Sequence, residues 1–238
     1  MPVEWHLDRL DLDRDAVAGL ATLLDAEETA RALRFHQAVH RRRFVVRRAR
    51  LRQWLAERLG VAPAAVPIAA DVHGKPYVPG WDRHFSTSHS HETMLIACAE
   101  APVGCDIERI DPGFAWQGVA QRLFAAEEWQ ALAALTEADG RTAFFRCWAR
   151  KEAFVKALGH GLHHPLDAFV VTCGPRAALL RGGDGWSVRR LTSPIMPPRS
   201  WCIGPARSTC ARGCRATAMP RQKDVRNTPK NKVYSALP

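Results

Sequence analysis

No run of about 18 apolar residues, the length a membrane-spanning helix needs, occurs in this 238-residue chain. Met1 to Asp15 alternates apolar and charged residues and lacks the basic-then-apolar order of a secretion signal, so the expected compartment is cytoplasmic, with no membrane partner. The seven cysteines show no C-x-x-C pairing and are odd in number, which argues against a disulfide framework and a zinc knuckle and leaves them as small reduced core residues. Acidic residues are missing from one end. From Arg199 to Pro238 nine Lys and Arg stand against Asp224 alone, a net of +8, so the other 198 residues carry only +2 of the +10 total. Those last forty residues also lack apolar periodicity and interleaved aromatics, which speaks against nucleic-acid binding as the main function.

What is present is enough apolar sequence for a substantial core, as one domain or two smaller ones. The pattern predicts a strand at 3–7, a helical region over 15–35 and a helix over 41–59 stopped by Gly60. Gly74-Lys75-Pro76 marks a turn, residues 85–91 a short polar segment, and 94–99 a buried strand. Pro102 separates that strand from another at 103–107. Helices are expected at 116–124, 126–135 and 141–158, the last ending at Gly159, then strands at 168–173 and 186–191. The resulting expectation is an α+β fold of two similar α/β subdomains, 1–102 and 103–191, in a pseudo-two-fold arrangement with the site between them. Residues 192–238 are expected as a basic, irregular tail that follows a change of reading frame or exon near 190–200 and supplies no closing strand.

Two segments carry chemistry. In Val103-Gly104-Cys105-Asp106-Ile107-Glu108, strand alternation points Asp106 and Glu108 the same way and Cys105 the other way. In Trp148-Ala149-Arg150-Lys151-Glu152-Ala153-Phe154-Val155-Lys156, residues Glu152 and Lys156 are four apart on one helix face. Three hard oxygen donors beside an ammonium suit a magnesium ion holding a phosphate. Taken singly, each of these residues reads equally well as a solvated strand acid or an ordinary i,i+4 helix pair.

Their order with three further motifs is more specific. The series Gly74-Lys75-Pro76, Phe85-Ser86-Thr87-Ser88-His89-Ser90, Pro102 to Glu108, Phe124 with Glu128, and Trp148-x-x-Lys151-Glu152-Ala153-x-x-Lys156-Ala157-x-Gly159-x-Gly161-Leu162 resembles the 4′-phosphopantetheinyl transferase superfamily, Sfp type. The resemblance covers about residues 25–173. It implies a transferase that moves the phosphopantetheine arm of coenzyme A, its co-substrate, to a serine of an apo acyl, polyketide or peptidyl carrier protein, releasing adenosine 3′,5′-bisphosphate. By the same resemblance Asp106, Glu108 and Glu152 bind Mg²⁺, or Mn²⁺, Lys156 meets the pyrophosphate, and Glu152 or Glu128 takes the serine proton, a choice left open. Arg31, Arg43, Lys75, Ser88 and His89 match coenzyme A positions, while Phe44 replaces a hydroxyl residue found in some relatives. A monomer without nucleic-acid partners is expected. Two rivals stand beside this reading: an impaired relative that binds carrier or coenzyme A without efficient transfer, and nucleic-acid binding by the basic end.

Overall fold

A computed structural model of the chain describes residues 2–161, 164–191, 200–205 and 209–210. Its first half opens with strand β1 (Pro2–Arg9), followed by helices α1 (Arg14–Ala21), α2 (Ala26–Leu33) and α3 (Ala38–Leu59). The helical region expected over 15–35 is thus two helices. Asp25 splits them, because its side chain accepts from the Glu28 N–H while the Glu28 carboxylate accepts from the Asp25 N–H, a reciprocal cap that starts α2 afresh. Gly60, at φ 68°, closes α3 in the left-handed conformation that glycine takes without strain.

A small hairpin, β2 (Ala69–Ala70) with β3 (Pro76–Tyr77), leads to β4 (His84–Ser90) and β5 (Thr93–Ala99). β5 lies between β1 and β4, antiparallel to both, in a sheet ordered β11-β1-β5-β4, where β11 is Thr209–Cys210. The unbroken apolar run of β5 follows from that central place. Met94, Ile96 and Cys98 pack with Val46, Ala49, Trp54 and Leu55 of α3, while Leu95, Ala97 and Ala99 face Val103, Cys105 and Ile107.

The second half begins at β6 (Gly104–Ile107) and continues through α4 (Trp116–Leu123), α5 (Ala126–Ala133) and α6 (Glu137–Leu158). Short β7 (Val170–Val171) pairs with β8 (Leu179–Arg181), and β9 (Trp186–Leu191) follows. Strand β10 (Ser200–Pro205) lies between β6 and β9, antiparallel to each. This corrects the expectation that no strand after residue 191 closes the second half. Trp201-Cys202-Ile203 is apolar, but three residues flanked by prolines and arginines disappear into the composition of a forty-residue window. Apart from β10 and β11, the expected tail lies outside the described residues.

Both halves therefore set a 22-residue helix, α3 or α6, against an antiparallel sheet. β6 crosses α6 at Gly104, where an added Cβ would collide with the backbone of Ala153 and Ala157. Glycine there lets strand and helix approach closely, which brings Asp106 against the Glu152–Lys156 face. Among the described residues no helix is long and apolar enough to cross a membrane.

Candidate active site

β4 and β6 lie side by side, joined by side chains. Ser86, Ser88 and Ser90 alternate along β4 and so share one face. Ser86 Oγ accepts the Cys105 N–H at 3.1 Å, Ser88 Oγ donates to Asp106 Oδ1 at 2.7 Å, and Ser90 Oγ donates to Glu108 Oε2 at 3.0 Å. Ser90 Oγ also accepts the Arg109 N–H at 3.1 Å. Ser86 and Ser90 were not among the expected site residues, although the spacing Ser86-x-Ser88-x-Ser90 announces a polar strand face. Cys105 points the other way, into the apolar layer between the sheets, as alternation requires.

Lys156, from α6, donates to Asp106 Oδ1 at 2.5 Å and to Ser88 Oγ at 3.1 Å. Its pKa stands above the ordinary lysine range; burial opposes the charge, but Asp106 and Glu152 more than offset it. Burial is also the main cause that pushes Glu108 up to about 8, with the Asp106 charge adding to it and the Ser90 hydrogen bond working against it. Glu152 is raised by burial, with Lys156 opposing and Asp106 reinforcing the shift. Three acids and one ammonium thus form one electrostatic group in which the acids repel one another.

Among the described residues no three His, Cys, Asp or Glu side chains are gathered at spacing that would hold a metal ion. The donor set nonetheless has the chemistry of a hard cation site. Asp106 Oδ2 is buried with no hydrogen-bond donor among the described residues, an arrangement that costs free energy unless a cation or another donor meets it. Asp106, Glu108 and Glu152 are carboxylates of the kind Mg²⁺ takes, one or two at a time, with water and phosphate completing its shell.

Beside this group opens a cleft of about 210 Å³ between the β2–β3 hairpin (His73 to Pro76), β4 (Phe85 to Thr87) and the end of α6 (Lys156, Gly159). Lys75 Nζ donates to the Ala157 carbonyl at 2.9 Å, and burial lowers its pKa. The Asp71 carboxylate accepts the N–H groups of His73 and Lys75 and so fixes the hairpin that presents the lysine.

Not every expected residue converges here. Alternation sets His89 on the face of β4 opposite Ser88. Arg43 makes a bidentate pair with Asp11, 2.6 Å at each contact, so both arms of its fork are engaged. Arg31 is exposed, its guanidinium 5.6 Å from the buried Phe44 ring, which Arg47 also approaches at 5.4 Å. Glu128 is removed altogether from the Asp106 group. Its oxygens accept the N–H groups of Ala125 at 2.9 Å and Val171 at 2.7 Å and pair with Lys151 at 2.7 Å. A carboxylate with three such partners holds α5 and β7 together; of the two expected bases, only Glu152 lies in the group.

An α+β scaffold that seats an acid-and-lysine group beside a cleft suits a protein that handles phosphate groups, and comparison with known proteins gives the family. Residues 102–203 match the 4′-phosphopantetheinyl transferase superfamily. The chain is 34% identical over 197 residues to the 4′-phosphopantetheinyl transferase HetI of Nostoc sp. (strain PCC 7120), covering 79% of this chain and 82% of that one. It is 32% identical over 165 residues to a 4′-phosphopantetheinyl transferase of Bacillus subtilis, covering 67% and 73%. To the 4′-phosphopantetheinyl transferase Sfp of Bacillus subtilis (strain 168) it is 27% identical over 167 residues, 70% and 73%. The chain belongs to the 4′-phosphopantetheinyl transferase superfamily, Sfp type. The family match ends at residue 203, within β10, so kinship extends past the 190–200 boundary expected from composition.

Proposed function

We propose that this protein transfers the phosphopantetheine arm of coenzyme A to a serine hydroxyl of an apo acyl, polyketide or peptidyl carrier protein, with Mg²⁺ or Mn²⁺ as cofactor, and acts as a cytoplasmic monomer without nucleic-acid or membrane partners. The observation that carries the reading is the group of buried Asp106 with half-buried Glu108, Glu152 and Lys156, set by β6, the residue after it and α6, together with an Asp106 oxygen that has no donor among the described residues, at the mouth of the cleft. We assign the nucleotide to the first half and the metal ligands and reacting groups to the second, carried through β10.

In the reaction a bond forms between the carrier serine oxygen and the phosphorus bearing the arm. The bond from that phosphorus to the bridging oxygen breaks, and adenosine 3′,5′-bisphosphate leaves with the bridging oxygen. A serine hydroxyl is a weak nucleophile, and Glu152, whose raised pKa brings it toward the working pH, accepts its proton. Lys156, kept cationic by Asp106 and Glu152, balances charge on the departing oxygen. Asp106, Glu108 and Glu152 would hold the divalent ion, which would supply positive charge to the pyrophosphate. Lys75 supports the nucleotide side of the cleft, with Ser88 and His89 on β4; Arg31 and Arg43 are assigned to the 3′-phosphate, Arg43 after release from Asp11.

The test is incubation with a panel of apo carrier proteins, coenzyme A and magnesium, read by intact mass. Gain of the phosphopantetheine arm on the carrier, lost in Asp106→Ala and Lys156→Ala, supports the enzyme. Retained binding of carrier or coenzyme A with no mass gain on any carrier replaces it with the binding-only reading.

A further inference from the structure

The two oxygens of Asp106 have opposite surroundings. Oδ1 takes the Lys156 ammonium at 2.5 Å and the Ser88 hydroxyl at 2.7 Å, whereas Oδ2 is buried with no donor among the described residues. Lys156 is anchored a second time on Ser88 Oγ at 3.1 Å, and Glu152 precedes it by one turn on the same helix face. A divalent cation drawing on Asp106 would therefore share one buried carboxylate with an ammonium already seated on it, although the Lys156 side chain itself is 31% exposed.

We propose that Lys156 is an internal competitor of the divalent cation, and that this tethered charge keeps the cation's affinity low until the diphosphate of coenzyme A draws the ammonium away. This rests on the metal-dependent reading above and adds to it a coupling between two ligands. A diphosphate offers Lys156 more negative charge than one carboxylate does. Its arrival frees Asp106 Oδ1 and supplies ligands of its own, so cation and coenzyme A enter as linked partners instead of the cation loading first. By linkage the cation must strengthen coenzyme A binding by the same factor. Ser88 is the pivot, because its hydroxyl donates to Asp106 and accepts from Lys156, holding the competitor in register.

The experiment measures binding without turnover. Mn²⁺ is titrated into the full chain at one fixed pH, the same for every protein, and free ion is followed by electron paramagnetic resonance. The proteins are the wild type, Lys156→Met, Lys156→Gln and Asp106→Asn, the glutamine variant answering the same question if the methionine variant does not fold. Without nucleotide, the lysine variants are expected to bind Mn²⁺ about tenfold more tightly than the wild type, and coenzyme A is expected to narrow that gap to less than about threefold. Equal or weaker Mn²⁺ binding in the lysine variants overturns the competitor role, while loss of binding in Asp106→Asn would leave the metal site itself standing. Absence of Mn²⁺ binding in every protein, with and without coenzyme A, removes the metal reading and the competitor with it.

Discussion

Lys151 and Glu152 are neighbours on α6, yet they belong to two charge groups of opposite character, one fully buried and one half-buried. Lys151 turns into the second-half core, where its ammonium donates to the carbonyls of Leu166 at 2.6 Å and Phe169 at 2.8 Å and pairs with Glu128 at 2.7 Å. The Glu128 oxygens are likewise filled by Lys151 and two backbone N–H groups. On the adjoining face of the helix, Glu152 and Lys156 meet Asp106 and Glu108, where acids repel, Glu108 is pushed up to about 8 and Asp106 Oδ2 has no donor among the described residues. A buried ion pair whose hydrogen bonds are all made is architecture. A buried group that lacks one is poised for a ligand.

The comparison breaks most visibly under substitution. Asp106→Ala is expected to lower transfer by on the order of 10³-fold in kcat/KM with a much smaller change in melting temperature, since relief of repulsion on Glu108 and Glu152 offsets loss of the Lys156 pair and the Ser88 hydrogen bond. Transfer kinetics and thermal melts check both halves of that statement. Glu128→Ala is expected to do the reverse. It strands Lys151 in the core at a cost of about 3–5 kcal/mol in denaturant unfolding, and any activity loss should follow the folded fraction. A double change of Glu128→Leu with Lys151→Met should recover only part of that stability, because it leaves no charge unpaired but strands the N–H groups of Ala125 and Val171 and the carbonyls of Leu166 and Phe169.

The pH response sharpens the same contrast. Glu108 is raised in the folded chain, so between its unfolded value of 4.5 and about 8 the native state binds a proton that the unfolded state does not. Its contribution to stability is therefore present at low pH in that window and is lost as pH rises through about 8. Without divalent cation the melting temperature should fall across that range, and Glu108→Gln should flatten the curve; a wild-type curve already flat would contradict the assigned burial. The smallest effect expected is that of Ser90→Ala. It removes one donor from Glu108, about 1 kcal/mol, and should weaken cation binding a few-fold with little change in folding, as a Mn²⁺ titration would reveal.

Much of this contrast was legible before folding. Alternation in 103–108 and the four-residue step from Glu152 to Lys156 set three of the four charged groups on their elements, with Glu108 following β6 in the same sense. The motif order was sufficient to name the family. What local pattern could not separate was Glu128 from Glu152, because both are helical acids in motif positions and only their partners tell them apart. Nor could it show that Arg43 is engaged by Asp11, thirty-two residues earlier in the chain. Ser86 and Ser90 carried a visible period, but their importance depends on which strand lies beside them. β10 escaped because six residues of strand inside a basic, proline-bearing stretch gain their order from the two strands that flank them, and a strand's ladder energy is not written in its own composition.

The sequence by itself determined the family, the α+β class, the ends of α3 and α6 at their glycines and the residue types of the site, since each depends on short-range spacing and backbone freedom. The tertiary structure alone decided which buried charges are satisfied and which are left in tension. That distinction arises from hydrogen bonds between distant segments, Glu128 with Val171 and Ser88 with Asp106, and from the approach of β6 to α6 that Gly104 permits. A carboxylate's role in this protein follows from the donors that reach it, and the fold chooses those donors.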